Sequence, residues 1–210
     1  MNLHLLLENH IKNNLGKYLL LFSFFILGIG LGAFTVNGLS SIQRYELDNY
    51  MQGFFEMFDA QTINSSSLLK VSSIYNGKMM LILWLLGITV IGIPFIFAVT
   101  GIRGFINGFS AGFFIRLMGI KSLLFIAVVI LIKEIIIMPS LMTMGVTGIN
   151  FSQNIIKNRK VSYPAKESFL TSFAAYCATT LLCCAFLFIG ILVEAYVVPV
   201  LIRIIAPVFN

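Results

Sequence analysis

The chain has 210 residues, of which 59% are hydrophobic and only 10% charged, with a formal net charge of +6 and a mean hydropathy of +0.97. An average soluble domain carries about 25% charged residues, so this composition excludes a water-soluble domain of useful size and indicates an integral membrane protein. The basic residues are scattered among apolar runs and never form a stripe on a polar face, which excludes a nucleic-acid partner and leaves membrane orientation as their use.

A helix needs about 20 apolar residues to cross about 30 Å of hydrocarbon, and runs of that kind recur along the chain. The polar stretch from Glu8 to Asn14 precedes an apolar run over 18–39. That run is longer than the roughly 7 to 15 residue core of a cleaved signal, and it reads as a retained anchor. Residues 40–78 form the one sizeable polar segment and the expected outer loop. Within it Leu47, Tyr50, Met51, Phe54, Phe55 and Phe58 recur at three- and four-residue spacing, while Asp48, Gln52, Glu56 and Asp59 fall largely on the other side. This pattern predicts an amphipathic helix over about 42–60. Such a helix either lies in the membrane interface against lipid or offers Tyr50, Phe54, Phe55 and Phe58 as anchors to a partner protein.

The second span is expected over 79–99, closed by Gly101-Ile102-Arg103, and the third over 104–119. In the third, the stretch GFINGFSAGFF places Gly104, Gly108 and Gly112 four residues apart. Glycines at that spacing remove the side chains from one stripe, so another helix approaches closely and gains dispersion contacts. Phe105, Phe109 and Phe113 border the stripe, and the partner helix is either internal or from a second protomer in a homo-oligomer. A phosphate-cradling loop is excluded for these glycines, because it would have to follow a strand in water. The fourth span is expected over 122–149, interrupted by Lys133-Glu134 and Pro139, and the fifth over 169–193. A last apolar piece, reaching Phe209, extends the fifth span or lies in the interface. The expected fold is therefore all-α: one polytopic membrane domain over 1–210 with about five transmembrane helices.

Orientation follows the placement of Lys and Arg in short loops. Lys157, Arg159, Lys160 and Lys166 mark the loop over 150–168 as cytoplasmic. Lys12, Lys17 and Arg103 then fall on the same side, the N-terminus is cytoplasmic and the C-terminus extracytoplasmic. Lys70, Lys78 and Lys121 stand against this assignment on the outer side.

Four polar groups fall within apolar runs: Arg116, Lys133, Glu134 and Glu194. Arg116 is near a helix end and can snorkel. Lys133 and Glu134 are adjacent and point about 100° apart, so they form no pair with one another; each needs a partner on another helix. No acidic or histidine partner at the depth of Glu134 is apparent, which argues against a proton relay. The catalytic inventory is poor. His4 and His10 both precede the first span, and Cys177, Cys183 and Cys184 sit in one apolar run as small buried hydrophobes. No metal site, cofactor or enzymatic activity is expected.

The stretch from Phe24 to Ser40, FFILGIGLGAFTVNGLS, resembles the start of stage II sporulation protein M. The step Arg103-Gly104-Phe105 into GFINGFSAGFF is similar to that family's Gly-Phe repeat, and Pro139 is similarly placed. Val193-Glu194-Ala195-Tyr196-Val197-Val198-Pro199 resembles the family's closing pattern. The resemblance implies a multi-pass protein of the bacterial cell membrane, at the septal or engulfing membrane during sporulation. There it would act as a non-enzymatic scaffold for two peptidoglycan-degrading partners, stage II sporulation proteins D and P. The alternative is the permease subunit of a transporter, with the loop over 150–168 contacting an ATPase.

Overall fold

The computed structural model describes residues 10–59, 65–119, 122–159 and 165–205, among which there is no strand. The first helix, α1, covers Leu15–Thr35 and ends in a 3-10 turn over Val36–Gly38. It is followed by α2 over Ser41–Asp59, α3 over Ser65–Ile88 and α4 over Gly92–Met118. A short α5 over Ser122–Ile126 passes through a π-helical turn, Ala127–Leu131, into α6 over Ile132–Arg159. In the same way α7, Ala165–Leu192, passes through a π-helical turn, Val193–Val197, into α8 over Val198–Ile205. Five stretches are long and apolar enough to cross a membrane: Leu15–Gly38, Ser65–Ile88, Gly92–Leu117, Ser122–Lys157 and Phe169–Ile204. The last apolar piece therefore continues the fifth helix as far as Ile204.

The expected boundary between the second and third spans is displaced. No break occurs at Gly101-Ile102-Arg103; the chain turns instead after Ile88 and re-enters a helix at Gly92. The turn is made by Thr89 N–H donating to Leu86 O and Gly92 N–H to Thr89 O, both at 3.1 Å. A Cβ at Gly92 would come within 3.0 Å of the Leu86 carbonyl oxygen and the Thr89 hydroxyl, so only glycine closes this turn. Pro94 sits in the first turn of α4, where a backbone N–H would have no helical acceptor. Ser152 of α6 covers the exposed end of α3, its hydroxyl lying 2.7 Å from the Gly87 carbonyl and 3.0 Å from that of Thr89. The consequence is large. Arg103 is a mid-helix residue, and Lys70 and Lys78 belong to the second span rather than to an outer loop.

The α1 and α4 helices make the most extensive contact in the molecule. A Cβ added at Gly28 or Gly32 of α1 would come within 3.0 Å of α4 backbone at Gly101, Phe105 or Phe109. Conversely, a Cβ at Gly104 or Gly108 would meet the backbone of Phe25 or Ile29 equally closely, and one at Gly112 would stand 3.1 Å from Ala33 Cα. The partner of the Gly104, Gly108 and Gly112 stripe is thus internal: a second glycine pair on α1. At the other end of α4, Gly119 takes φ 63° and ψ −146°, a positive-φ conformation that glycine accepts without strain.

Two hydrophobic cores result. One gathers Leu21, Phe25, Met80, Leu83, Ile96, Ile137, Met144, Ile149, Tyr176 and Leu187. The other gathers Val36, Phe113, Phe114, Phe125, Ile126, Ile130, Val198 and Ile202. On α4 the first core includes Ile96 and the second Phe113; on the α5–α6 rod Ile137 belongs to the first and Ile130 to the second; on the α7–α8 rod Ile191 belongs to the first and Val198 to the second. The residues lying between these positions are Arg103, Lys133, Glu134 and Glu194.

Candidate functional site

The level between the two cores is polar, and its side chains come from α3, α4, α6 and the second π turn. Arg103 donates from Nη2 to Glu134 Oε1 at 2.7 Å and from Nη1 to Asn76 Oδ1 at 2.8 Å. Its guanidinium carbon also stands 5.5 Å from the centre of the Tyr75 ring, a cation–π distance. Asn76 Nδ2 donates to the Ser72 hydroxyl at 3.1 Å and to the Ser72 carbonyl at 3.0 Å. Ser72 Oγ in turn donates to Glu194 Oε2. Glu194 accepts from Lys133 Nζ through its other oxygen at 2.5 Å. Because Lys133 and Glu134 are consecutive, the hydrogen-bonded chain closes into a ring through the α6 backbone.

The ring holds two cations and two carboxylates and is electrically balanced. Its halves differ in burial: the Arg103 and Glu134 side chains are 4% and 8% exposed, whereas Lys133 and Glu194 are each 22% exposed. Within hydrocarbon, charges without partners are prohibitively costly, and pairing with further hydrogen bonds is the condition under which they occur. The ring meets that condition almost fully. The exceptions are Arg103 Nε and Glu134 Oε2, and Asn107 Nδ2 beside the ring is a third buried atom with no partner among the described residues. All three residues line a cavity of about 170 Å³ shared with Tyr75, Ser110, Lys133 and Glu194. Polar walls and that volume accommodate water, which would satisfy the three atoms.

Both π turns flank the ring. The N–H of Ile132 bonds to the carbonyl of Ala127, and that of Val198 to Val193, five residues back in each case. Glu194 lies inside the second π turn, and Lys133 and Glu134 begin the helix after the first. Insertions of this type are rare in helices and concentrate at functional positions.

Residues 21–199 match the family model of stage II sporulation protein M. The chain belongs to the stage II sporulation protein M family. No curated protein and no solved structure matches it. Membership makes this a sporulation-related membrane protein, and the matched region contains all five candidate spans or most of each. In this member of the stage II sporulation protein M family, the closing stretch Val193 to Pro199 is the second π turn and the start of α8. Pro199 has no N–H to return to the preceding turn, so a widened turn suits that position.

The residues singled out in the sequence divide accordingly. Lys133, Glu134 and Glu194 come together: Arg103 and Glu194 are the partners on other helices for Glu134 and Lys133, and the expectation that no acidic or histidine residue lies at the depth of Glu134 is corrected, because Glu194 lies beside its neighbour Lys133. Arg103 was missed as a site residue because its position after Gly101 reads as a loop end. Ser72 and Asn76 were missed because 40–78 reads as a loop. Arg116 stands apart, exposed near the end of α4, 3.5 Å from the Val36 carbonyl. Gly104, Gly108 and Gly112 serve the α1 contact on the opposite side of α4 from the ring. Tyr50 is exposed on α2, while the Phe54, Phe55 and Phe58 side chains lie outside the described residues, as do His4 and Lys121. Among the described residues no three His, Cys, Asp or Glu side chains gather as a metal site would require.

Proposed function

We propose that the protein is a non-enzymatic scaffold of the engulfment stage of sporulation, holding peptidoglycan-degrading partners at the septal membrane. The observation that carries the reading is α2. It is a 19-residue helix between the first two spans, and Ile42, Tyr45 and Tyr50 on it are 71%, 68% and 75% exposed. Large apolar side chains held on a helix outside the spans suit either headgroups or a protein partner, and aromatic anchors are common in protein interfaces. The expected partners are the stage II sporulation proteins D and P.

The basic residues support a cytoplasmic N-terminus and an outer α2. Lys12, Lys17, Lys157, Arg159 and Lys166 all fall at one end of the bundle once Arg103, Lys70 and Lys78 are taken as span residues. Lys17 ties that end together, donating to Asn150 and, at 2.7 Å, to Gln153 Oε1. The test is co-purification in mild detergent from sporulating cells. Replacing Phe54, Phe55 and Phe58 by Ser should abolish recovery of proteins D and P while the variant stays in the membrane; undiminished recovery refutes the docking role of α2.

A permease subunit is the second reading, favoured by the ionic ring and its cavity at the middle of the bundle, where transporters place their sites. ATPase-dependent flux into vesicles containing the protein would establish it.

A further inference from the structure

The lipid-facing surface is not uniform. At the level of the ring α1 presents Leu27, Leu31 and Phe34 outward, 62%, 64% and 76% exposed, as a helix in hydrocarbon should. The same belt of α3 presents Lys70, Tyr75 and Lys78, all exposed. Asn76 fixes the depth, since it is bonded to Arg103 at the middle of α4. Lys78 is thirteen residues from Ser65 and ten from Ile88, which at about 1.5 Å per residue is about 20 Å and about 15 Å from the two ends of the helix. Lys70 is close enough to an end to snorkel. Lys78 is too deep for its four-carbon stem to reach either end, and it makes no hydrogen bond or ion pair among the described residues. An ammonium group bare to lipid at that depth is strongly disfavoured, and such residues normally face protein or water.

The charge also selects the occupant. A second copy docking through the same face would bring its Lys70 and Lys78 against their equivalents, because a two-fold contact is self-complementary. Like charges opposed in low dielectric are repelled. An acidic partner has no such obstacle.

We propose that the outward face of α3 around Ile74 and Lys78 is an intramembrane docking site for a transmembrane helix of another protein, one carrying a carboxylate at mid-depth opposite Lys78. The site is separate from α2 and rests on the scaffold reading only in requiring a membrane partner. The inward face of the same helix is held by Ser72 and Asn76 in the ionic ring. Docking outside therefore bears directly on a helix whose inner face is fixed.

The chain's single tryptophan, Trp84, lies six residues along α3 from Lys78 and serves as an energy-transfer donor. The probes are leucine-rich transmembrane peptides with a dansyl group and either one central Glu or Leu in its place, added to the full chain in lipid vesicles. The Glu peptide should quench Trp84 at roughly tenfold lower concentration than the Leu peptide, the scale of one interhelical polar contact in a membrane. Lys78→Leu, which breaks no internal bond, should remove the difference. Equal quenching by both peptides, or a difference that survives Lys78→Leu, overturns the proposal. In sporulating cells, a photoreactive residue at Ile74 should cross-link to a spanning segment that contains Asp or Glu. Adducts only with a second copy, or only with segments lacking a carboxylate, also overturn it. Should the α2 variant retain proteins D and P, only the docking role of α2 falls; should neither protein co-purify with the unaltered chain, the wall-hydrolase reading falls, and these peptide results stand unaffected in both cases.

Discussion

Arg103 and Glu134 meet at 2.7 Å in the middle of the bundle, both almost completely buried, with one hydrophobic core on either side of them. Removing one member of such a pair leaves the other uncompensated in a medium that cannot solvate it. Arg103→Leu is expected to destabilise the protein by about 3–5 kcal/mol. The double variant Arg103→Leu, Glu134→Leu should recover much of that loss, since apolar replacement of both partners avoids the stranded charge. Unfolding in mixed micelles measures both, and a double variant less stable than Arg103→Leu would contradict the pairing.

The α1–α4 contact makes a contrast within one residue type. Gly104→Ala and Gly108→Ala would each drive a methyl into α1 backbone, whereas Gly16→Ala and Gly30→Ala meet nothing within 4 Å. The first two should cost about 1–3 kcal/mol each, and the second two should be close to neutral. Thermal stability in detergent distinguishes them, and equal effects at all four positions would show that α1 is not the helix in the groove.

Tyr176 is 2% exposed, lies with its ring stacked on Phe151 at 4.8 Å, and donates its hydroxyl to the Trp84 carbonyl at 2.8 Å. Tyr176→Phe removes the hydrogen bond alone and should cost about 0.5–1.5 kcal/mol. Tyr176→Ala also removes the ring and should cost about 3–5 kcal/mol. Stability measurements on the two variants separate the hydrogen bond from packing.

Orientation is checked in a background with Cys177, Cys183 and Cys184 replaced by Ala. A membrane-impermeant maleimide added to intact cells stripped of their wall should label Asn64→Cys and leave Ser162→Cys unlabelled until the cells are opened. The reverse pattern would invert the topology and place α2 in the cytoplasm.

Composition and hydropathy suffice for an all-α membrane fold and for its five spans, because burying a backbone in lipid leaves few alternatives to helices. The glycine spacing in GFINGFSAGFF likewise points to a close helix contact. What hydropathy blurs is the turn between α3 and α4. A sliding window averages over Thr89 to Ile91, three residues flanked by Gly87 and Gly92 in an otherwise apolar run, and sees the next polar residue, Arg103, as the loop. Pro94 was the local signal that a helix begins there, and the even balance of Arg103, Lys133, Glu134 and Glu194 was the signal for an internal ring. The pairing itself is long-range: Ser72 and Glu194 are 122 positions apart, and no periodicity along one helix connects them.

Each π turn is a one-residue slip in helical phase, about 100° of rotation for everything beyond it. Lys133 and Glu134 follow one slip, and Glu194 sits within the other. Winding all five residues of Ala127–Leu131 as ordinary helix would swing both α6 charges away from Arg103 and Glu194, whereas deleting one of them would remove the wide turn and leave the charges in place. Substitutions at those five apolar positions leave the phase intact. The region should thus accept changes of residue type and the loss of one residue, so that the wide turn, more than the identity of the residues in it, keeps the charges facing inward.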